Sequence, residues 1–166
     1  MTSLTPEQQH IEAELRALVG DAAFALTPDG RGVLGAAGAS VVVDVPAHGR
    51  HAVFSTGLGV LPHDPPPRHA ALMAALQYNM FLAAGDGAAV AAHPNGDGSL
   101  YLCYRTPLAG LDRTVLANIV TNLAARAAPL TQQLLGPQTG AAAATAGTAA
   151  AVQAPALPGQ FMDWRA

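Results

Sequence analysis

The chain has 166 residues, of which 51% are hydrophobic and 11% charged, with a formal net charge of −3. All eight basic side chains are arginines scattered singly, so no basic stripe is present to follow a nucleic-acid backbone. No apolar run free of breakers approaches membrane-spanning length, the polar start Met1–His10 is unlike a cleaved leader, and the single Cys103 leaves no internal disulfide or thiolate cluster.

The first element is a helix. Thr5 can cap it, Pro6 suits the first helical position and Gln8 stands where a capping box needs it. Ile11, Leu15 and Leu18 then share one face, and Gly20 ends the helix. From Asp21 to Leu61 the pattern is one of strands and turns. Ala23–Leu26 is short and apolar, Pro28-Asp29-Gly30 marks a turn, Ser40–Val45 is a β-branched run closed by Pro46, and Ala52–Ser55 is another short strand. Gly57, Gly59 and Pro62 read as breakers, and Pro65-Pro66-Pro67 as a stiff extended connector.

A second helix is predicted from about Arg68 to Ala84. Leu72, Leu76, Met80 and Ala83 form one stripe, while Met73, Tyr78, Phe81 and Leu82 point elsewhere; only Gln77 and Asn79 are polar in its middle. A helix that apolar is packed on both sides, with its own sheet on one and the same helix of a second subunit on the other. Ala88–Ala92 and Ser99–Tyr104 form a hairpin around Pro94–Gly98. The last helix starts near Asp112, whose carboxylate suits the N-terminal dipole. It carries a stripe of Leu116, Ile119, Val120, Leu123 and Ala127; Pro129 is expected to end or kink it, with a further turn reaching Leu135.

Two units are therefore expected: residues 1–136 as one α+β domain, and 137–166 as a flexible Ala/Gly/Thr-rich tail. The expected domain is a small twisted antiparallel sheet with three helices in the order α-β-β-β-α-β-β-α. Near the end of the tail, Phe161, Met162 and Trp164 form a candidate docking motif.

Motifs that suggest chemistry fail on context. Gly30–Gly35 spells G-x-G-x-x-G, yet the residues beyond it, up to Val45, read as another strand. No helix N-terminus waits for a pyrophosphate, and a glycine-rich turn is expected instead. His48 and His51 with Asp64 match no established zinc spacing. Cys103 lies mid-strand, where an inert thiol is expected. Asp44 with Asp64 or Asp86 would be a carboxylate pair, but each sits at a strand end or turn. No cofactor, no metal site and no enzymatic activity are expected.

The segments Ser40–Asp44, Val53-Phe54, Leu58–Pro62, Leu72–Leu82 with Asn79, Gly98–Leu102 and Leu108–Ala128, in that order, resemble the class I type III secretion chaperones of the Tir chaperone (CesT) family. The resemblance covers roughly residues 4–135; the glycine- and alanine-rich stretch Ala22–Gly38 and the tail depart from it. It implies a cytoplasmic bacterial homodimer that binds an extended N-terminal segment of a secreted effector. Without ATP, it keeps that effector secretion-competent and presents it to the secretion apparatus, whose ATPase becomes a further candidate partner. Ile11, Leu15, Leu18, Val43, Val53 and Phe54 are the candidates for the effector groove, and Leu72, Met73, Leu76 and Met80 for the dimer interface. The alternatives are a small metal- or ligand-binding domain using the histidines, and an adaptor that docks through Phe161–Trp164.

Overall fold

The computed structural model describes residues 3–20, 24–83 and 87–136. The order is α1 (Pro6–Val19), β1 (Arg31–Ala36), β2 (Ala39–Asp44), β3 (His51–Val60), α2 (Pro65–Ala83), β4 (Ala88–Ala92), β5 (Ser99–Pro107) and α3 (Arg113–Leu135). The five strands form one antiparallel sheet in the order β1-β2-β3-β5-β4. This is the expected α-β-β-β-α-β-β-α architecture.

Alternation places Leu34, Val41, Val43, Ala52, Phe54, Leu58, Leu100, Leu102 and Tyr104 on the inner sheet face, all buried. Against them α3 lays Leu116, Ile119, Val120, Leu123, Ala127, Leu130 and Leu134. The helix runs unbroken through Pro129, because burying Leu130 and Leu134 outweighs the lost backbone bond. Beside α3 lies α1, buried through Gln8, Ile11 and Leu15 and tied to it by the Arg113–Glu14 ion pair at 3.0 Å. The capping box forms as the spacing predicts: the Gln8 N–H donates to Thr5 Oγ1 (3.3 Å) and the Thr5 N–H to Gln8 Oε1 (2.8 Å). The second helix, α2, packs along β4 and reaches α3.

Four local expectations are corrected. The run at residues 24–26 is no ladder strand. Phe24 and Leu26 are buried, but their backbone is held by α1 side chains: the Leu26 N–H donates to Glu12 (2.7 Å) and Arg16 Nε donates to the Phe24 carbonyl (3.0 Å). The glycine-rich stretch after Gly30 is β1 and not a turn. Gly32 lies directly over Phe24 and Leu26, where a Cβ would come within 2.9 Å of both, so glycine here serves close packing. The reversal is instead the two-residue Ala37-Gly38 turn, with both φ angles positive (45° and 80°).

Nor do Gly57 and Gly59 end β3. They flank a bulge at Leu58, whose carbonyl accepts from Thr131 Oγ1 at 2.7 Å. The triple proline is the first turn of α2 and not a connector. The first turn of a helix has no N–H partners to lose, and the first ladder bond runs from the Arg68 N–H to the Asp64 carbonyl (3.1 Å).

Candidate functional site: an uncovered helix face and an open sheet edge

The largest uncovered apolar surface among the described residues is one side of α2. Ala71, Ala75 and Leu82 face inward and are buried. On the other side Leu72 is 37% exposed, Met73 43%, Leu76 63% and Met80 72%. The four residues expected at a subunit interface are thus together on one helix and open to solvent. Its inner side is held by Asn79, which both donates to the Val90 carbonyl (2.9 Å) and accepts from the Val90 N–H (2.7 Å). A side-chain amide there stands in for a neighbouring strand and closes the β4 edge at its middle. Asn79 was visible in the sequence as a polar residue inside an apolar helix; its partner was not.

The opposite edge is open. Val45 donates to the Gly30 carbonyl (2.9 Å), and the register continues through Gly32–Val43, Leu34–Val41 and Ala36–Ala39. In an antiparallel ladder the residues between these pairs, Arg31, Val33 and Gly35, turn their N–H and C=O outward. Thr27 takes both groups of Arg31: its N–H donates to the Arg31 carbonyl (2.8 Å) and its hydroxyl accepts from the Arg31 N–H (3.2 Å). Val33 is 59% exposed, and its side chain lies on the sheet face away from the helices, in the row that continues through Val42, Ser55 and Cys103. That outer face carries its charge along one end, where Arg31 pairs with Asp44 at 2.8 Å.

The expected groove residues divide. Ile11, Leu15, Val43 and Phe54 are at most 1% exposed and belong to the core, so they support the sheet and offer no free side chain for a client to grip. Their burial has a simple cause: helical and strand periodicity marks an apolar face, and in this fold that face meets α3. Leu18 is half-buried at the core's rim and Val53 half-buried on the outer sheet face. Ile11 also lines a shallow cavity of about 280 Å³ shared with Pro6, Glu7, His10 and Leu108. Phe161, Met162 and Trp164 lie outside the described residues.

Among the described residues no three His, Cys, Asp or Glu side chains gather as a metal group. Arg105 Nη2 lies 3.1 Å from His51 Nδ1, while His48 and Asp64 are exposed. Burial raises the Cys103 thiol above its ordinary range, opposite to what an activated nucleophile needs. No described helix is long and apolar enough to cross a membrane.

Comparison with known proteins adds a family and a fold. The profile of the Tir chaperone protein (CesT) family matches residues 11–130. Among solved structures, a chain of the ExsC–ExsE complex superposes with a TM-score of 0.64 at 16% identity, covering 80% of this chain and 96% of that one. The Yersinia pestis type III secretion chaperone SycH, solved with a stable fragment of YscM2, gives 0.58 at 18% identity, covering 74% and 98%. No curated protein matches by sequence.

Proposed function

Since the chain belongs to the Tir chaperone protein (CesT) family, we propose that it is a type III secretion chaperone, a binding protein and not an enzyme. It holds the N-terminal segment of one or more effectors in a secretion-competent state and delivers them to the secretion apparatus. The observation that carries this reading is the family match over residues 11–130, most of the folded body. The relatives of similar fold agree with it: SycH is a secretion chaperone solved with a protein fragment bound.

The uncovered surfaces supply the means. An extended client has little structure of its own to lose and can gain backbone bonds by adding to an open edge. The β1 edge at Val33 and Gly35 offers such bonds, and Leu18, Val53 and the cavity beside Ile11 offer apolar contacts. The other uncovered surface, on α2, fits a second copy of the chain: Leu72, Met73, Leu76 and Met80 would each contribute on the order of 1–2 kcal/mol when buried. A homodimer acting in the bacterial cytoplasm is therefore part of the proposal, with the secretion ATPase as a downstream contact.

Co-expression with an effector encoded beside this gene tests the reading. The chain should co-purify with effector variants that keep the N-terminal segment and not with those lacking it. Equal recovery of both, or of neither, would remove the chaperone assignment.

A further inference from the structure

Unlike the glycines before it, Gly35 answers no need of the fold. Gly30 takes a positive φ of 82°, and Gly32 makes room for Phe24 and Leu26. Gly35 does neither: its φ lies outside the left-handed region, and a Cβ added there meets nothing within 4 Å. A glycine inside a strand loses more entropy on folding than any other residue and gives up a side chain that would pack. This one also stands on the open edge, where its N–H and C=O turn outward like those of Val33.

The consequence is a bare strip on the outer sheet face. Gly35 pairs with Ser40, and the β2–β3 register that joins Val41 to Thr56 sets Gly57 next in the same row. A Cβ at Gly57 would touch only the Tyr101 ring, 4.0 Å away. Between the β1 edge and Tyr101 this row therefore presents backbone and one serine side chain. Val33 and Val42 form the row alongside. The result is a shallow trough, open at the β1 edge, flanked by valines and closed by an aromatic ring at its far end.

A strand added to β1 lies about 4.8 Å beyond it, and every second side chain falls on the outer face. The side chain beside Gly35 meets bare backbone and the flank of Val33, which is 59% exposed. Aromatic side chains across from edge glycines shield that backbone and recover the packing that the glycine gives up.

We propose that the β1 edge selects client segments that place a Phe, Tyr or Trp beside Gly35, its ring laid on the outer sheet face over Gly35 and Ser40 and against Val33. This selection rests on the chaperone reading and adds to it the side chain by which a client is recognised.

The test uses peptides covering the N-terminal segment of an effector encoded beside this gene, each aromatic residue replaced by Leu in turn, in calorimetric titrations of the intact protein. One replacement should weaken binding at least about fivefold. Gly35→Val fills the floor of the trough but keeps the outward N–H and C=O. It should weaken the unaltered peptide to a similar extent while raising the thermal midpoint, since valine suits an open strand position better than glycine. In NMR spectra the unaltered peptide should move the Gly35 Hα protons upfield by ring current, and the weakened Leu peptide should not, even at saturation. Full affinity in every Leu peptide, full affinity in Gly35→Val, or a midpoint lowered by Gly35→Val would each overturn the proposal and leave the chaperone reading standing. No binding of the unaltered peptide to the intact protein would remove both.

Discussion

Gln8 performs two tasks with one side chain. Its Oε1 completes the cap of α1, and its Nε2 donates 2.7 Å to the Val45 carbonyl, where β2 leaves the sheet. The side chain is 1% exposed, so Gln8→Ala leaves a buried carbonyl without its donor. That should cost about 1–3 kcal/mol, read as a lower denaturant midpoint at unchanged slope. Gly30→Ala should cost more, since it forces a side chain onto a backbone at φ +82° and drives its Cβ into the same carbonyl.

Cys103 offers a check of a different kind. Burial disfavours its thiolate, so alkylation at neutral pH should be slower than that of a free thiol, and the difference should vanish when the chain is unfolded in urea. At this scale the sequence was legible where partners are local. The Thr5–Gln8 cap follows from a spacing of three, whereas the bond from Gln8 to Val45 spans 37 positions and left no pattern. Ile11, Leu15, Val43 and Phe54 could be recognised as apolar-face residues, but which face would meet α3 depended on the assembled sheet.

Among the elements, α2 shows most plainly how a fold can be complete in its core and incomplete at its surface. Its inner side is alanine-rich and clamped by Asn79, while its outer side presents leucines and methionines to water. Leu76→Arg alters a side chain that is 63% exposed, so the fold of the single chain should change in stability by no more than about 0.5 kcal/mol. Light scattering should nevertheless find the wild type at twice the mass of one chain and the variant at one; equal masses would remove α2 from the interface. The two-sided apolar character of this helix was legible from residue types alone. Its true start was not, because three consecutive prolines read as an extended segment until Asp64 and Arg68 are seen to close the first turn. The glycines of β1 were misleading in the same way: spacing suggested a turn, and packing of Phe24 and Leu26 beneath Gly32 makes a strand.

At the scale of the molecule, one sheet has an inner face filled by α1 and α3, one edge closed by α2, and one edge left open. The order of elements carried the family and the fold, because hydrophobic runs separated by turn residues survive large changes of sequence; relatives with this fold are only 16% and 18% identical. The proposed binding surface was less legible, since it is made of what the core leaves out: outward backbone groups at Val33 and Gly35 have no signature in side-chain type. Client binding through that edge is the most direct test of the chaperone reading. Calorimetric titration of the intact protein with the N-terminal segment of a neighbouring effector should give saturable binding, weakened at least about tenfold by Val33→Pro while circular dichroism stays unchanged. No heat of binding with any such segment, under conditions where the protein is folded, would contradict it.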